Sequence, residues 1–197
     1  MKKVLVVVDM QNDFIDGVLG TPEAQAIVPN VVKKIREYCE ADNLVLFTKD
    51  THYDNYLDTQ EGKNLPVPHC IINTNGWCIN KSVRSEWLNS PHIEIELMED
   101  GLVEENNTIF KSAFGSVLLG EILEKLITLD VSDEIDEIEF CGVCTDICVI
   151  SNVMITKSFL PDIKITVDAD CCAGVTPESH RNALEAMKAC QVNIINY

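Results

Sequence analysis

Four kinds of reactive side chain stand where strand-like runs of this chain end. Asp9 follows "VLVVV", Asp50 and His52 follow "NLVLFTK", Lys111 follows "TIF", and the thiols Cys144 and Cys148 lie in "EFCGVCTDICV". A carboxylate can take a proton, a lysine can stabilise negative charge, and a thiol can act as a nucleophile. A D-x-H pair with the later His69 offers one carboxylate and two imidazoles, a donor set suited to Zn, Fe or Mn.

Each of these residues also has a plainer reading. Asp9 could cap the following turn, and spacing alone favours that. A lysine after a strand is usually solvated, and loop histidines are usually just exposed. Free cysteines are most often small core residues, which suits Cys141. Cys144 falls in the turn itself. Cys148 is expected in the first turn of the next helix, capped by Thr145 or Asp146, where the positive dipole end would lower its pKa and favour thiolate. C-x2-C-x3-C lacks the paired knuckles of structural zinc, and no histidine is near it.

The elements that would position these groups alternate along the chain. "VLVVVDM", "NLVLFTKD", "EIEFCGV" and "IKITVDAD" read as strands, with shorter ones in "NNTIFKS" and "VNIINY". The first two are nearly continuous apolar runs, as in strands covered on both faces. Helical spacing recurs between them, in "EAQAIVPNVVKKIREYCEA", "SVLLGEILEKLITL", "TDICVISNVMITKSF" and "TPESHRNALEAMKAC". The last opens with Thr176 as N-cap and Pro177 at the first helical position. This alternation predicts an α/β fold, a three-layer sandwich with an open, mostly parallel sheet and helices on both faces. Such sheets bind ligands beyond the carboxyl ends of their strands, where the reactive residues fall. No linker or repeat divides residues 1–197, so one domain is expected. The stretch 76–101, with Trp77 and Trp87, reads as irregular and of unassigned role.

The totals narrow the function classes. A net charge of −17 gives no electrostatic footprint for nucleic acid and disfavours anionic membranes. The opening apolar run, Val4 to Val8, is too short for a signal peptide core and ends in Asp9. Nine cysteines, several inside apolar runs or adjacent to one another, suggest reduced thiols in a cytoplasmic protein.

"VVVDMQNDF", "FKSAFGS" and "GVCTDICV", in this order, resemble the three motifs of the isochorismatase-like cysteine hydrolases, and "DADCCAGVTPESHRNALEAM" resembles that family's next strand and helix. The resemblance implies a catalytic triad of Asp9, Lys111 and Cys148. It also implies a cis peptide at Val143–Cys144 and an oxyanion hole made by the backbone N–H groups of Cys144 and Cys148. Isochorismatases proper lack the nucleophilic cysteine, so its presence points to amide hydrolysis through a thioester. Asp50, His52 and His69 resemble the metal set of the nicotinamidase branch, with Glu61 as a further loop ligand and Asp54 and Asp58 competing with it. Phe14 is a candidate ring partner, since Leu65-Pro66 replaces an aromatic residue common before the Pro-x-x-His run.

The expected reaction converts nicotinamide, or a related aromatic carboxamide, to the acid and ammonia with the help of a divalent metal. Another amide or ureide hydrolase of the same fold is the alternative, and a non-catalytic interaction module the remote one. The resemblance further suggests a homo-oligomer.

Overall fold

The computed structural model describes residues 2–89, 103–104, 107–129 and 135–197, without the side chains of 87–89, 103–104 and 129. Strand β1 (Lys2–Val8) lies at the centre of a seven-stranded sheet. From it the chain builds outward through β2 (Leu44–Asp50) and β4 (Thr108–Lys111), with the short β3 (Val103–Glu104) antiparallel at that edge. It then returns to β1's other side and builds outward again through β5 (Ile135–Val143), β6 (Lys164–Ala173) and β7 (Asn193–Ile195). The order is β3-β4-β2-β1-β5-β6-β7, and all neighbours but β3–β4 are parallel. The reversal lies between β1 and β5, so the crevice that open sheets use for ligands should open beyond Val8 and Val143.

Continuous burial explains the apolar strands. Val4 to Val8 are sealed on both faces, as are Val45, Leu46 and Phe47 in β2. Helix α2 (Pro22–Glu40) covers the sheet through Ala24, Ile27, Val31, Ile35 and Tyr38, one helical face. Its N-terminus is fixed by Thr21, whose hydroxyl accepts the Ala24 N–H at 3.0 Å. Lys34 pins it further, at 2.5 Å from Glu139 of β5 and 2.7 Å from Asp168 of β6. Helices α5 (Val117–Leu129), α6 (Ile150–Phe159) and α7 (Pro177–Ala189) form the other helical group, and α7 begins with a Thr176–Ser179 capping box.

Several elements depart from expectation. The helix after β5 starts as a π-helical turn, Thr145–Val149, with no side-chain cap. Thr145 and Asp146 serve other contacts: Thr145 Oγ1 lies 2.8 Å from His180 Nδ1, and Asp146 accepts the Val175 N–H. Part of the 76–101 stretch is helix α4 (Lys81–Asn89), which packs on α2. Residues 90–101 of that stretch, and the Trp87 side chain, lie outside the described residues. Helix α1 (Asn12–Ile15), a 3-10 turn (Tyr56–Asp58) and helix α3 (Gln60–Asn64) are too short to leave a periodic signal.

Gly142 shapes the reversal point. It pairs with Val8 at φ +117, and an added Cβ would sit 2.1 Å from the Val8 carbonyl oxygen. Only glycine lets β5 run this close to β1, just before the two strands release Asp9 and Cys144.

Candidate active site

Asp9, Asp50, His52, Lys111, Cys144 and Cys148 all lie at or just beyond the carboxyl ends of parallel strands, on one side of the sheet. Asp50 and Lys111 are register partners at the ends of β2 and β4. Asp9 leaves β1 with φ +49, a left-handed turn that Asp tolerates, and is 0% exposed. Thr48 orients it by donating to Asp9 Oδ1 at 2.6 Å.

Lys111 occupies the centre. Its Nζ lies 2.7 Å from Asp9 Oδ2, 3.5 Å from Asp50 Oδ1 and 3.6 Å from Cys148 Sγ. The Asp9 contact is an ion pair lacking hydrogen-bond alignment, so Oδ2 keeps lone-pair capacity for another proton donor. Burial raises the Asp9 pKa even against the neighbouring ammonium. Burial would lower that of Lys111, but the Asp9 and Asp50 carboxylates outweigh it and keep the amine charged.

The thiol differs from the expectation. Cys148 is 6% exposed, and burial pushes its pKa well up, which Lys111 only partly offsets. The thiol sits on a π-helical turn inside the protein, so burial opposes the lowering expected at a helix start. The Cys144 thiol is also pushed up by burial, to about 12. The Val143–Cys144 peptide is cis.

Next to Lys111 lies a second group. Among the described residues, Asp50, His52 and His69 are the set whose ligand atoms gather closely enough for a metal ion, within 4.8 Å of one another. His52 Nε2 approaches Asp50 Oδ2 to 2.9 Å yet is a buried nitrogen without an aligned hydrogen bond. The close approach leaves the His52 nitrogen unpartnered beside a carboxylate oxygen, an arrangement compatible with both meeting a cation. His69 directs Nδ1 to the Val67 carbonyl at 2.8 Å, which turns Nε2 towards Asp50. Burial would raise the Asp50 pKa, but the two imidazoles beside its carboxylate and the Lys111 charge hold it well below the carboxylate range. Burial lowers that of His69, whereas Asp50 and Glu61 push it up to about 10. Of the loop acids, Glu61 comes to the cluster, its Oε1 3.7 Å from His52 Nε2 and 3.5 Å from His69 Nε2, while Asp54 and Asp58 are exposed. One carboxylate, two imidazoles and a neighbouring carboxylate fit a divalent ion.

A cavity of about 390 Å³ joins the two groups, lined by Cys144 and Cys148 on one side and Asp50, Glu61 and His69 on another. Phe14 lines it and packs edge-on to His69, ring centroids 5.5 Å apart.

Some residues of the site escape the sequence reading. Gln11 donates to the Asp50 and Trp77 carbonyls at 2.8 and 2.9 Å and accepts the Asp50 N–H at 2.7 Å. Asp13 accepts the Cys70 N–H, directly beyond His69, at 2.8 Å. The "QND" run thus clamps the segments that carry Asp50 and His69. Its signal was three polar residues directly after a buried strand. Thr48, inside an apolar strand, carried a weaker one. Trp77 donates to Thr51 and packs on Phe110, covering the core beside the site.

The family model for the isochorismatase domain matches residues 3–196. The chain belongs to the isochorismatase domain family. Within it, a nicotinamidase of Schizosaccharomyces pombe is 25% identical over 98% of this chain and 92% of the yeast protein. The nicotinamidase/pyrazinamidase PncA of Bacillus subtilis superposes with a TM-score of 0.76 at 24% identity, over 98% of this chain and 99% of that one. A Pyrococcus horikoshii pyrazinamidase, solved in complex with zinc, gives a TM-score of 0.72 at 24% identity over the whole of both chains. At such identity the likeness of these structures to the isochorismatase-family chain speaks for its fold. Among the described residues, no helix is long and apolar enough to cross a membrane.

Proposed function

We propose that this isochorismatase-family chain is a single-domain cysteine amidohydrolase that converts nicotinamide, or a related aromatic carboxamide, to the acid and ammonia through a thioester on Cys148. The observation that carries the reading is the position of the Lys111 amine, 2.7 Å from Asp9 and 3.6 Å from Cys148, on a cavity shared with the Asp50–His52–His69 cluster. Relatives named nicotinamidases, full-length matches to this chain, support the substrate class.

The chemistry follows from the protonation states. Cys148 rests as a thiol, so it needs a base, and Asp9, its affinity for a proton raised by burial, is the neighbouring acceptor. Asp9 takes the proton as sulfur attacks the carboxamide carbon. The backbone N–H groups of Cys144 and Cys148 receive the oxyanion, a contribution worth about 100- to 1,000-fold per donor. Asp9 returns the proton to the departing ammonia, and Lys111 holds the carboxylate in place and stabilises developing charge. Water, deprotonated by Asp9, then hydrolyses the thioester and restores the thiol.

Asp50, His52 and His69, with Glu61 as a fourth donor, would hold a divalent ion, of which Zn, Fe and Mn are the candidates. When bound it would supply a Lewis-acid anchor for a ring nitrogen. Phe14 would pack against the ring. Nine unpaired cysteines are in keeping with a cytoplasmic protein, and a homo-oligomer is the assembly proposed.

The test is ammonia release from nicotinamide, with and without chelator. Turnover that chelation removes and a divalent ion restores supports the reading. Acid formed only from non-pyridine amides or ureides would assign the chain to another hydrolase of this fold.

A further inference from the structure

The cavity is larger than its reactive wall. Beyond Cys148 it continues between the loop after α1, the start of α2 and the turn after β6, along Leu19, Thr21, Ala24, Gly174 and Val175. Two polar groups of this lobe are engaged within the protein. Thr21 Oγ1 accepts the Ala24 N–H at 3.0 Å, and the Val175 N–H donates to Asp146 at 3.0 Å. The Leu19, Ala24 and Val175 side chains offer a ligand hydrocarbon surface. Val175, 51% exposed, and Phe114, 48% exposed, stand at the rim of the same cavity. Apolar side chains exposed at the rim of a cleft are available for contact with a ligand in it.

Ring geometry says where such a ligand would enter the lobe. This step rests on the amidase reading above. A pyridine-3-carboxamide that turns its ring nitrogen to the Asp50–His52–His69 cluster and its carboxamide to Cys148 has used two of three alternate ring positions. Carbon 5 is the third, and it points away from both of those groups. We propose that the substrate of this chain is a pyridine-3-carboxamide carrying an apolar substituent at carbon 5, which the Leu19–Thr21–Ala24–Val175 lobe receives. Such a group adds binding that is equal in the ground and transition states, so it acts on KM and leaves kcat alone.

The experiment follows acid formation by the metal-loaded protein from pyridine-3-carboxamide and its 5-methyl, 5-ethyl, 5-propyl and 5-butyl derivatives. Burial of each methylene predicts a rise in kcat/KM of roughly fourfold, carried by KM, until the lobe is full. Val175→Asp, at an exposed position, should lower the butyl-to-parent ratio at least about tenfold by placing a charge against the chain. Parent turnover with a flat or falling alkyl series, or a ratio that V175D leaves unchanged, overturns the proposal. Should no member of the series be hydrolysed, calorimetry on Cys148→Ala still decides. Tighter binding of the butyl compound than of the parent would keep the lobe and discard the amidase reading, and equal binding would discard the lobe.

Discussion

Asp50 and Lys111 are register partners on neighbouring strands, and the Asp50 carboxylate divides its two oxygens between two duties. Oδ1 faces the Lys111 amine at 3.5 Å, and Oδ2 faces His52 and His69 at 2.9 and 3.5 Å. One side chain therefore links the candidate metal cluster to the Asp9–Lys111–Cys148 group, and changes in either should be felt in the other.

Lys111→Met removes the cation shared by Asp9, Asp50 and Cys148. Loss of amide turnover is expected, with a destabilisation of about 3–5 kcal/mol because two buried carboxylates lose their partner. Asp50, freed of a competing charge, should bind zinc more tightly. Calorimetric zinc titration and urea unfolding with and without zinc check this. An unchanged zinc affinity would mean that the two groups are not coupled.

The two thiols facing the cavity should separate cleanly. Cys148→Ala abolishes turnover and leaves the melting temperature and zinc binding intact, whereas Cys144→Ala, which keeps its backbone N–H, is mild. Rapid quench followed by intact-mass measurement should show acyl mass on the wild-type protein and none on C148A. Adduct on another cysteine would move the nucleophile.

Thr48→Val deletes the 2.6 Å hydrogen bond that orients Asp9. A hydrogen bond to a charged group contributes about 1.5–3 kcal/mol, so kcat should fall roughly 10- to 100-fold. KM and zinc content should hold, and Thr48→Ser should recover most of the rate. A variant that loses KM instead would show that Thr48 shapes the pocket rather than the base.

Chelation should lower stability as well as rate, because an ion held by Asp50, His52 and His69 would bind only their folded arrangement. Zinc at 1,000 times its Kd would stabilise by about 4 kcal/mol. Differential scanning calorimetry with EDTA and after zinc replacement measures it, and His69→Ala should abolish the difference.

Acid stability should depend on Glu137. Its carboxylate lies 2.7 Å from Lys3 Nζ and 2.8 Å from Lys164 Nζ and accepts from Thr166. Burial would raise its pKa, but these partners lower it from 4.5 to about 2. A group depressed on folding contributes stability above its unfolded pKa, and that contribution fades as pH falls from about 4.5 to about 2. Glu137→Gln should therefore be less stable than wild type at pH 7, and the gap should close towards pH 2. A pH-independent gap would assign the effect to packing.

By itself, the sequence determined the layered α/β architecture and the places where reactive side chains leave it. Apolar runs such as Val4–Val8 show strands covered on both faces, and a strand's end sets where the next polar residue emerges, so Asp9, Asp50, Lys111 and Cys148 were legible from local pattern. So was the Thr176–Pro177 helix start, because capping acts over three residues. Tertiary structure alone decided the direction in which the thiol's pKa moves. Helix position argued for a lowered pKa at Cys148, but desolvation depends on every element packed around it and reverses the sign. It also decided that Thr145 and Asp146 bind His180 and Val175 rather than cap, that Gln11 clamps Asp50, and that Thr48 holds Asp9. Those pairs are about 30 to 40 residues apart in the chain, and contacts between strands or loops so distant leave no periodic trace. The strand ends were written locally. Their electrostatics arise from burial, which is a property of the whole fold.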